Sequence, residues 1–144
     1  MCGIVGYIGK NNALPKLIKG LKRLEYRGYD SAGIAYFKNK EIILKKSVGR
    51  IANLEEKINL QDESFIGIGH TRWATHGKVV EENSHPHQVG NITLVHNGII
   101  ENYLPLKKEL QEKENSEQAI HLADILLQYF ELQTIGNNDI SLLR

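Results

Sequence analysis

Apolar positions set the first helix. Leu14, Leu17, Ile18, Leu21 and Leu24 recur at spacings of three and four, which places them on one face of a helix. Asn11-Asn12 offers a start signal ahead of them, and Pro15 falls close to the first turn. The turn-forming run Arg27-Gly28-Tyr29-Asp30-Ser31 predicts an end near Tyr26. Before this helix, Ile4-Val5-Gly6-Tyr7-Ile8 is short and β-branched and reads as a strand. After it, Ala32 to Phe37 returns to a strand pattern. Asn39-Lys40 suits a hairpin turn, and Glu41 to Leu44 reads as the returning strand. Ile51 to Ile58 carries a short helical pattern, and Ser64 to Ile68 reads as another strand. Val79 to Gln88 is a polar loop, and Ile92 to Val95 a strand that ends at His96-Asn97-Gly98. From Glu101 onwards the chain is helical, with Pro105 near the start and Leu106 and Leu110 as expected buried contacts. Glu117 to Leu132 is a second helical run, and Asn137 to Arg144 a short tail.

This order does not repeat the strand-helix unit of a doubly wound sheet. The hairpin in the middle calls for antiparallel pairing. The expected class is α+β, a layered sandwich. Composition narrows the function more than the fold. The chain has 144 residues, the length of one domain, with 41% hydrophobic and 24% charged residues. A net charge of +1 gives no bulk electrostatic case for nucleic acid or an anionic membrane. No apolar run is long enough to span a bilayer as a helix, and the opening residues lack the basic leader of a signal peptide. A single cysteine excludes an internal disulfide and fits a reducing compartment, so a cytoplasmic location is expected.

That cysteine is Cys2. Removal of Met1 would place a thiol and a free α-amine on one residue. With reference pKa values of roughly 8.5 for the thiol and roughly 7.7 to 8.0 for the amine, the amine can take the thiol proton. The result is a nucleophile with its own base; the alternative is an inert cysteine in a first strand. Attack on an amide creates an oxyanion that needs fixed donors. Asn97-Gly98 at a strand end could supply a side-chain amide and a closely approaching backbone N–H, or could be a simple turn dipeptide. Arg72 could grip a carboxylate through paired hydrogen bonds, with Thr75 adding a hydroxyl, His76 alongside, and Trp73 walling off water. Equally, Arg72 could be an exposed strand residue and Trp73 a core residue. His85-Pro86-His87, with His70, His76 and His96 near strand ends, invites a metal test. Without a cysteine pair or HExxH, it gives no recognisable zinc spacing. No phosphate-binding glycine loop occurs. Neither a metal nor a cofactor is expected.

The segments MCGIVGYIG, LEYRGYDSAG, GHTRWATHG, HPH and VHNGIIEN follow one another in this order. Over roughly residues 1–112 the chain resembles the N-terminal glutaminase domains of the glucosamine-6-phosphate synthases. Related amidotransferases, such as amidophosphoribosyltransferase and asparagine synthetase, share the Cys-Gly-Ile opening but do not usually carry HTRWATHG. The resemblance implies an N-terminal-nucleophile hydrolase fold, a four-layer αββα sandwich with antiparallel sheets. It implies hydrolysis of L-glutamine to glutamate and ammonia through a thioester, with ammonia passing to a sugar-phosphate isomerase domain that aminates fructose 6-phosphate. It assigns Cys2 as nucleophile, its α-amine as base, and Asn97 and Gly98 as the oxyanion hole. Arg27 becomes a positioning residue near the cysteine. Arg72, Thr75 and His76 hold the glutamine α-carboxylate, with Trp73 beside them. The full-length enzyme is expected to be a homo-oligomer.

Two departures accompany the resemblance. The family's domain runs beyond this chain, so a C-terminally incomplete sandwich without the isomerase domain is expected. An acidic segment that binds the glutamine α-amino group is replaced by Asn115-Ser116-Glu117, leaving Glu117 and Asp124 as the nearest acids. The competing readings are a catalytically inactive glutamine-binding fragment and a glutaminase domain serving another acceptor. A chain that retains Met1 is expected to be an inactive precursor.

Overall fold

The computed structural model describes residues 2–74, 78–98, 100–102, 104–106 and 109. Strand β1 (Gly3–Ile8) leads to helix α1 (Ala13–Leu24), and a single 3-10 turn (Glu25–Arg27) completes the helical segment. The Asn12 side chain caps α1 by accepting from the Leu14 N–H at 3.2 Å. Strands β2 (Ser31–Lys38) and β3 (Glu41–Val48) form the expected hairpin. Its turn holds Asn39 and Lys40 at positive φ, as a tight hairpin requires. Helix α2 (Ile51–Glu56), β4 (Ile66–Arg72), and the short strands β5 (His87–Val89) and β6 (Ile92–Leu94) follow. Residues 104–106 are helical, as expected from Glu101 onwards. Leu110, the helix expected over Glu117 to Leu132 and the tail Asn137 to Arg144 lie outside the described residues, as does Met1.

The larger sheet is wholly antiparallel in the order β1-β4-β2-β3, and β5 pairs antiparallel with β6. Alternation along each strand divides this sheet into two unlike faces. On one face, α1 lays Leu14, Leu17, Ile18 and Leu21 against Ile34 and Tyr36, with Ile51 and Leu54 of α2 closing the same core. Close approach depends on glycine in β4. A Cβ on Gly67 would lie 2.7 Å from Leu17 Cδ1, and one on Gly69 would lie 3.0 Å from Leu21 Cδ1. On the other face, the carbonyl of His85 would meet a Cβ on Gly33 at 2.3 Å, so the segment entering β5 rests directly on β2. The described residues therefore form three layers: helices, the four-stranded sheet, and the β5–β6 hairpin with its approach loop.

Several boundaries differ from expectation: α2 ends at Glu56 rather than Ile58, β4 begins at Ile66 rather than Ser64, and β6 ends at Leu94 rather than Val95. β3 continues past Leu44 because Lys45, Lys46 and Ser47 stay in register with Ile34, Gly33 and Ala32. β4 continues past Ile68 through His70-Thr71-Arg72, whose polar character reads as a strand end; His70 and Thr71 pair with both β1 and β2, and Arg72 pairs with β2. The stretch from Val79 to Gln88 is not wholly loop, since His87 and Gln88 pair with Leu94 and Thr93.

Candidate active site

Cys2 stands at the head of β1, one residue before Gly3, which pairs with Thr71. Two hydrogen bonds fix it there. The Gly3 N–H donates to Thr71 Oγ1 at 3.1 Å, and the Trp73 N–H donates to Cys2 Sγ at 3.3 Å. The thiol also faces the Trp73 carbonyl oxygen at 3.7 Å, so both polar groups of that residue's backbone meet the sulfur. The Trp73 amide is itself held from behind. A Cβ on Gly28 would lie 2.7 Å from the carbonyl carbon of Arg72 and 2.9 Å from the Trp73 nitrogen. Only glycine lets the turn after α1 seat itself against this peptide. Asp30, two residues on, receives the Ala74 N–H on Oδ2 at 2.7 Å and donates its own N–H to the Arg72 carbonyl at 3.2 Å. The LEYRGYDSAG segment is thus a clamp on the strand end that faces the thiol.

Asn97 reaches the same point from β6. Its Nδ2 donates to the Cys2 carbonyl oxygen at 3.1 Å, and its Oδ1 lies 2.7 Å from His70 Nε2. Gly98 follows with φ of +134°, a conformation that side chains other than hydrogen rarely adopt, and packs on the His96 ring. The Asn-Gly pair is therefore both turn and donor: Gly98 takes a positive φ that glycine adopts freely, and the residue before it donates to the cysteine carbonyl.

The proposed carboxylate anchor is less complete. Arg72 donates from Nη1 to the Lys78 carbonyl at 3.1 Å. Trp73 is 40% exposed and meets Tyr29 edge-on, with ring centroids 5.2 Å apart. Thr75 and His76 lie outside the described residues. Arg27 is turned onto its neighbour: its Nε donates to the Tyr26 hydroxyl at 2.9 Å and its guanidinium covers that ring.

The histidines form a row between the layers. His70 and His85 rings lie 4.3 Å apart, and His85 and His87 rings 4.4 Å apart. All three are buried. Burial is the main influence on each ring and favours its neutral form, bringing His70 down to about 4 and His87 to about 3. His85 between them is also pushed down, by burial and then by the charges of its two neighbours. Among the described residues, no group of three or more histidine, cysteine, aspartate or glutamate side chains is placed to hold a metal ion. Among site residues, the sequence singles out His70 only as a possible metal ligand, and Thr71, Asp30 and Gly28 not at all. All four lie inside segments quoted for their motifs, but their roles depend on strand register.

No family model matches the chain. By sequence it is similar to proteins curated as glutamine–fructose-6-phosphate aminotransferase [isomerizing]. It is 59% identical over 115 residues to that of Clostridium tetani, covering 76% of this chain and 19% of the relative. It is 57% identical over 136 residues to that of Caldanaerobacter subterraneus subsp. tengcongensis, covering 90% and 22%. It is 49% identical over 141 residues to that of Bacteroides thetaiotaomicron, covering 95% and 23%. The chain spans about a fifth of the length of these relatives. By structure it is similar to the glutamine phosphoribosylpyrophosphate amidotransferase of B. subtilis solved with ADP and GMP, with a TM-score of 0.66 at 24% identity over 94% of this chain and 33% of that one. It is also similar to a structure described as the allosteric regulatory enzyme of purine biosynthesis, with a TM-score of 0.69 at 23% identity and the same coverage. The fold is that of the N-terminal-nucleophile glutamine amidotransferases, as the sequence motifs implied. Of the four layers expected, the described residues form three.

Proposed function

The chain is a homologue of the glutamine–fructose-6-phosphate aminotransferases, and from that premise we propose that it is the glutamine-hydrolysing part of such an enzyme. The observation that carries this reading is convergence on one atom group. Residues 2, 73 and 97, remote in sequence, bring a thiol, a backbone donor and a carboxamide donor together at the start of β1.

The chemistry follows from that arrangement. With Met1 removed, the Cys2 α-amine takes the thiol proton. The sulfur attacks the side-chain amide carbon of glutamine, forming a C–S bond while the carbonyl π electrons move to oxygen. The Asn97 carboxamide and the Gly98 N–H receive that oxyanion. Its collapse breaks the C–N bond, and the ammonium of Cys2 returns a proton so that the nitrogen leaves as ammonia. Water then cleaves the thioester, giving glutamate and restoring the thiol. Arg72, Thr75 and His76 hold the substrate α-carboxylate, Trp73 shields it, and Arg27 positions the site. In the whole protein, ammonia passes to an isomerase domain with fructose 6-phosphate as acceptor. The contrast between 49–59% identity to aminotransferases of this acceptor class and 23–24% identity to the structural neighbours supports that acceptor. A homo-oligomeric, cytoplasmic enzyme fits the same reading.

The test is an intact mass before and after treatment with a diazo-ketone analogue of glutamine. The untreated mass reports loss of Met1. One adduct on Cys2, blocked by excess glutamine, is the expected result. No adduct in a chain lacking Met1 would overturn the reading.

A further inference from the structure

His70 takes no part in the bond-making steps above, yet it holds one of the groups that does. It lies in the interior of β4 at 1% exposure, with Nε2 2.7 Å from Asn97 Oδ1. The direction of that hydrogen bond is fixed by the far end of the same carboxamide. Asn97 Nδ2 lies 3.1 Å from the backbone carbonyl oxygen of Cys2, and a carbonyl only accepts. The NH2 group therefore faces Cys2 and the amide oxygen faces His70. An amide oxygen also only accepts, so the nitrogen opposite it carries the hydrogen. In a neutral ring this selects the Nε2–H tautomer. The His85 ring, 4.3 Å behind, fills the space into which His70 could turn.

We propose that His70 is a positioning residue for the oxyanion-binding carboxamide, its Nε2–H holding Asn97 Oδ1 so that the NH2 group is presented to Cys2. This inference rests on the role given to Asn97 in the proposed function. Oxygen and nitrogen of a carboxamide are nearly the same size, so packing alone selects poorly between its two orientations. Rotated by half a turn, Asn97 would offer an oxygen to the developing oxyanion and repel the charge it is meant to receive. A donor on the opposite side removes that choice. The buried row of histidines thus acquires a use that needs no metal: it supplies an uncharged donor whose position is set by packing.

Kinetics of glutamine hydrolysis by the intact protein test this with His70→Phe, His70→Gln, Asn97→Ala and the double variant His70→Phe/Asn97→Ala. Phenylalanine keeps the ring and removes the donor; glutamine restores an N–H at similar reach. His70→Phe should lower kcat about 10- to 100-fold with KM within about twofold, and His70→Gln should recover most of that loss. The double variant should be no slower than Asn97→Ala, because both changes remove one function. If His70→Phe does not fold, His70→Asn, whose amide is too short to reach, replaces it in the same comparison. A wild-type kcat in the variant lacking the donor, or losses that multiply in the double variant, would overturn the positioning role. A wild-type kcat in Asn97→Ala would instead overturn the oxyanion role of Asn97, and this inference with it.

Discussion

The two faces of the four-stranded sheet are built on opposite plans. Toward α1, alternate residues of β4 are Gly67 and Gly69, and the helix settles its leucines onto a floor without side chains. Toward the β5–β6 hairpin, the intervening residues are Ile68 and His70, and the contacts include three imidazole rings and a carboxamide. The helical face is apolar and tightly fitted, so its loss is felt as stability. The hairpin face buries polar groups, and the paired ones, such as His70 with Asn97, fix orientation more than they add net stability. One strand thus separates the apolar core from the polar face that meets Asn97 and, through it, Cys2, with a period of two residues between them.

Changes confined to one face should move only that face's observable. The largest effect is expected at the nucleophile: Cys2→Ala should lower ammonia release by more than about 1,000-fold while leaving the thermal midpoint in place. An active Cys2→Ala protein would remove the thiol from the mechanism. Next is acid. Each of His70, His85 and His87 is neutral when folded, and each takes a proton below about pH 6.5 once unfolded. The unfolded chain therefore binds more protons, and stability falls as pH drops from about 6.5 toward the folded-state values of about 4 for His70 and about 3 for His87. Near pH 5 the slope should approach about 4 kcal/mol per pH unit. Lys46, brought down to about 8 mainly by burial, titrates above this window and leaves the slope unchanged. Equal urea midpoints at pH 7 and pH 5 would contradict the neutral row.

On the helical face, Leu17→Ala should cost about 2–5 kcal/mol of stability by opening a cavity over Gly67, with kcat retained at a temperature where the protein is folded. A comparable drop in kcat would show that the faces are coupled. Gly28→Ala works the other way. Its new methyl would press on the Arg72–Trp73 peptide and draw the Trp73 N–H from Cys2, so kcat should fall about 10- to 100-fold; unchanged turnover would show that the peptide has room to yield. The smallest effect is expected for Glu55→Gln, which removes the partially exposed Lys22–Glu55 pair, and a denaturation curve should move by about 0.5 kcal/mol or less.

The helical face was the more legible in sequence, because a five-residue apolar repeat in α1 declares its own direction. The partner surface was not, since Gly67 and Gly69 carry no hydrophobic signal although they are what the leucines meet. On the hairpin face, Cys2, Asn97 and Trp73 could be named from motifs and are brought together, and Gly98, also named, lies against the His96 ring. Arg72 could be named too, but its described bond runs to the Lys78 carbonyl, and Arg27 turns onto Tyr26. His70 and Thr71 were hidden for a different reason. Polar residues at the end of an apolar run read as the end of a strand, and only the pairing of Thr71 with Gly3 and of His70 with Ile4 shows that they remain inside it. Six histidines are visible in the sequence, but which one meets Asn97 depends on the register between segments far apart in the chain.

The position of Cys2 at the head of an edge strand has a consequence in time. The groups that surround its sulfur and carbonyl arrive 71 and 95 residues later. At about 5 to 20 residues per second of synthesis, the thiol is made some 5 to 20 s before Asn97 exists. During that interval it is an ordinary cysteine at the tip of a nascent chain, with neither the Trp73 N–H nor the carboxamide beside it. The surroundings proposed to activate it are completed last, by contacts that span 71 and 95 residues of chain.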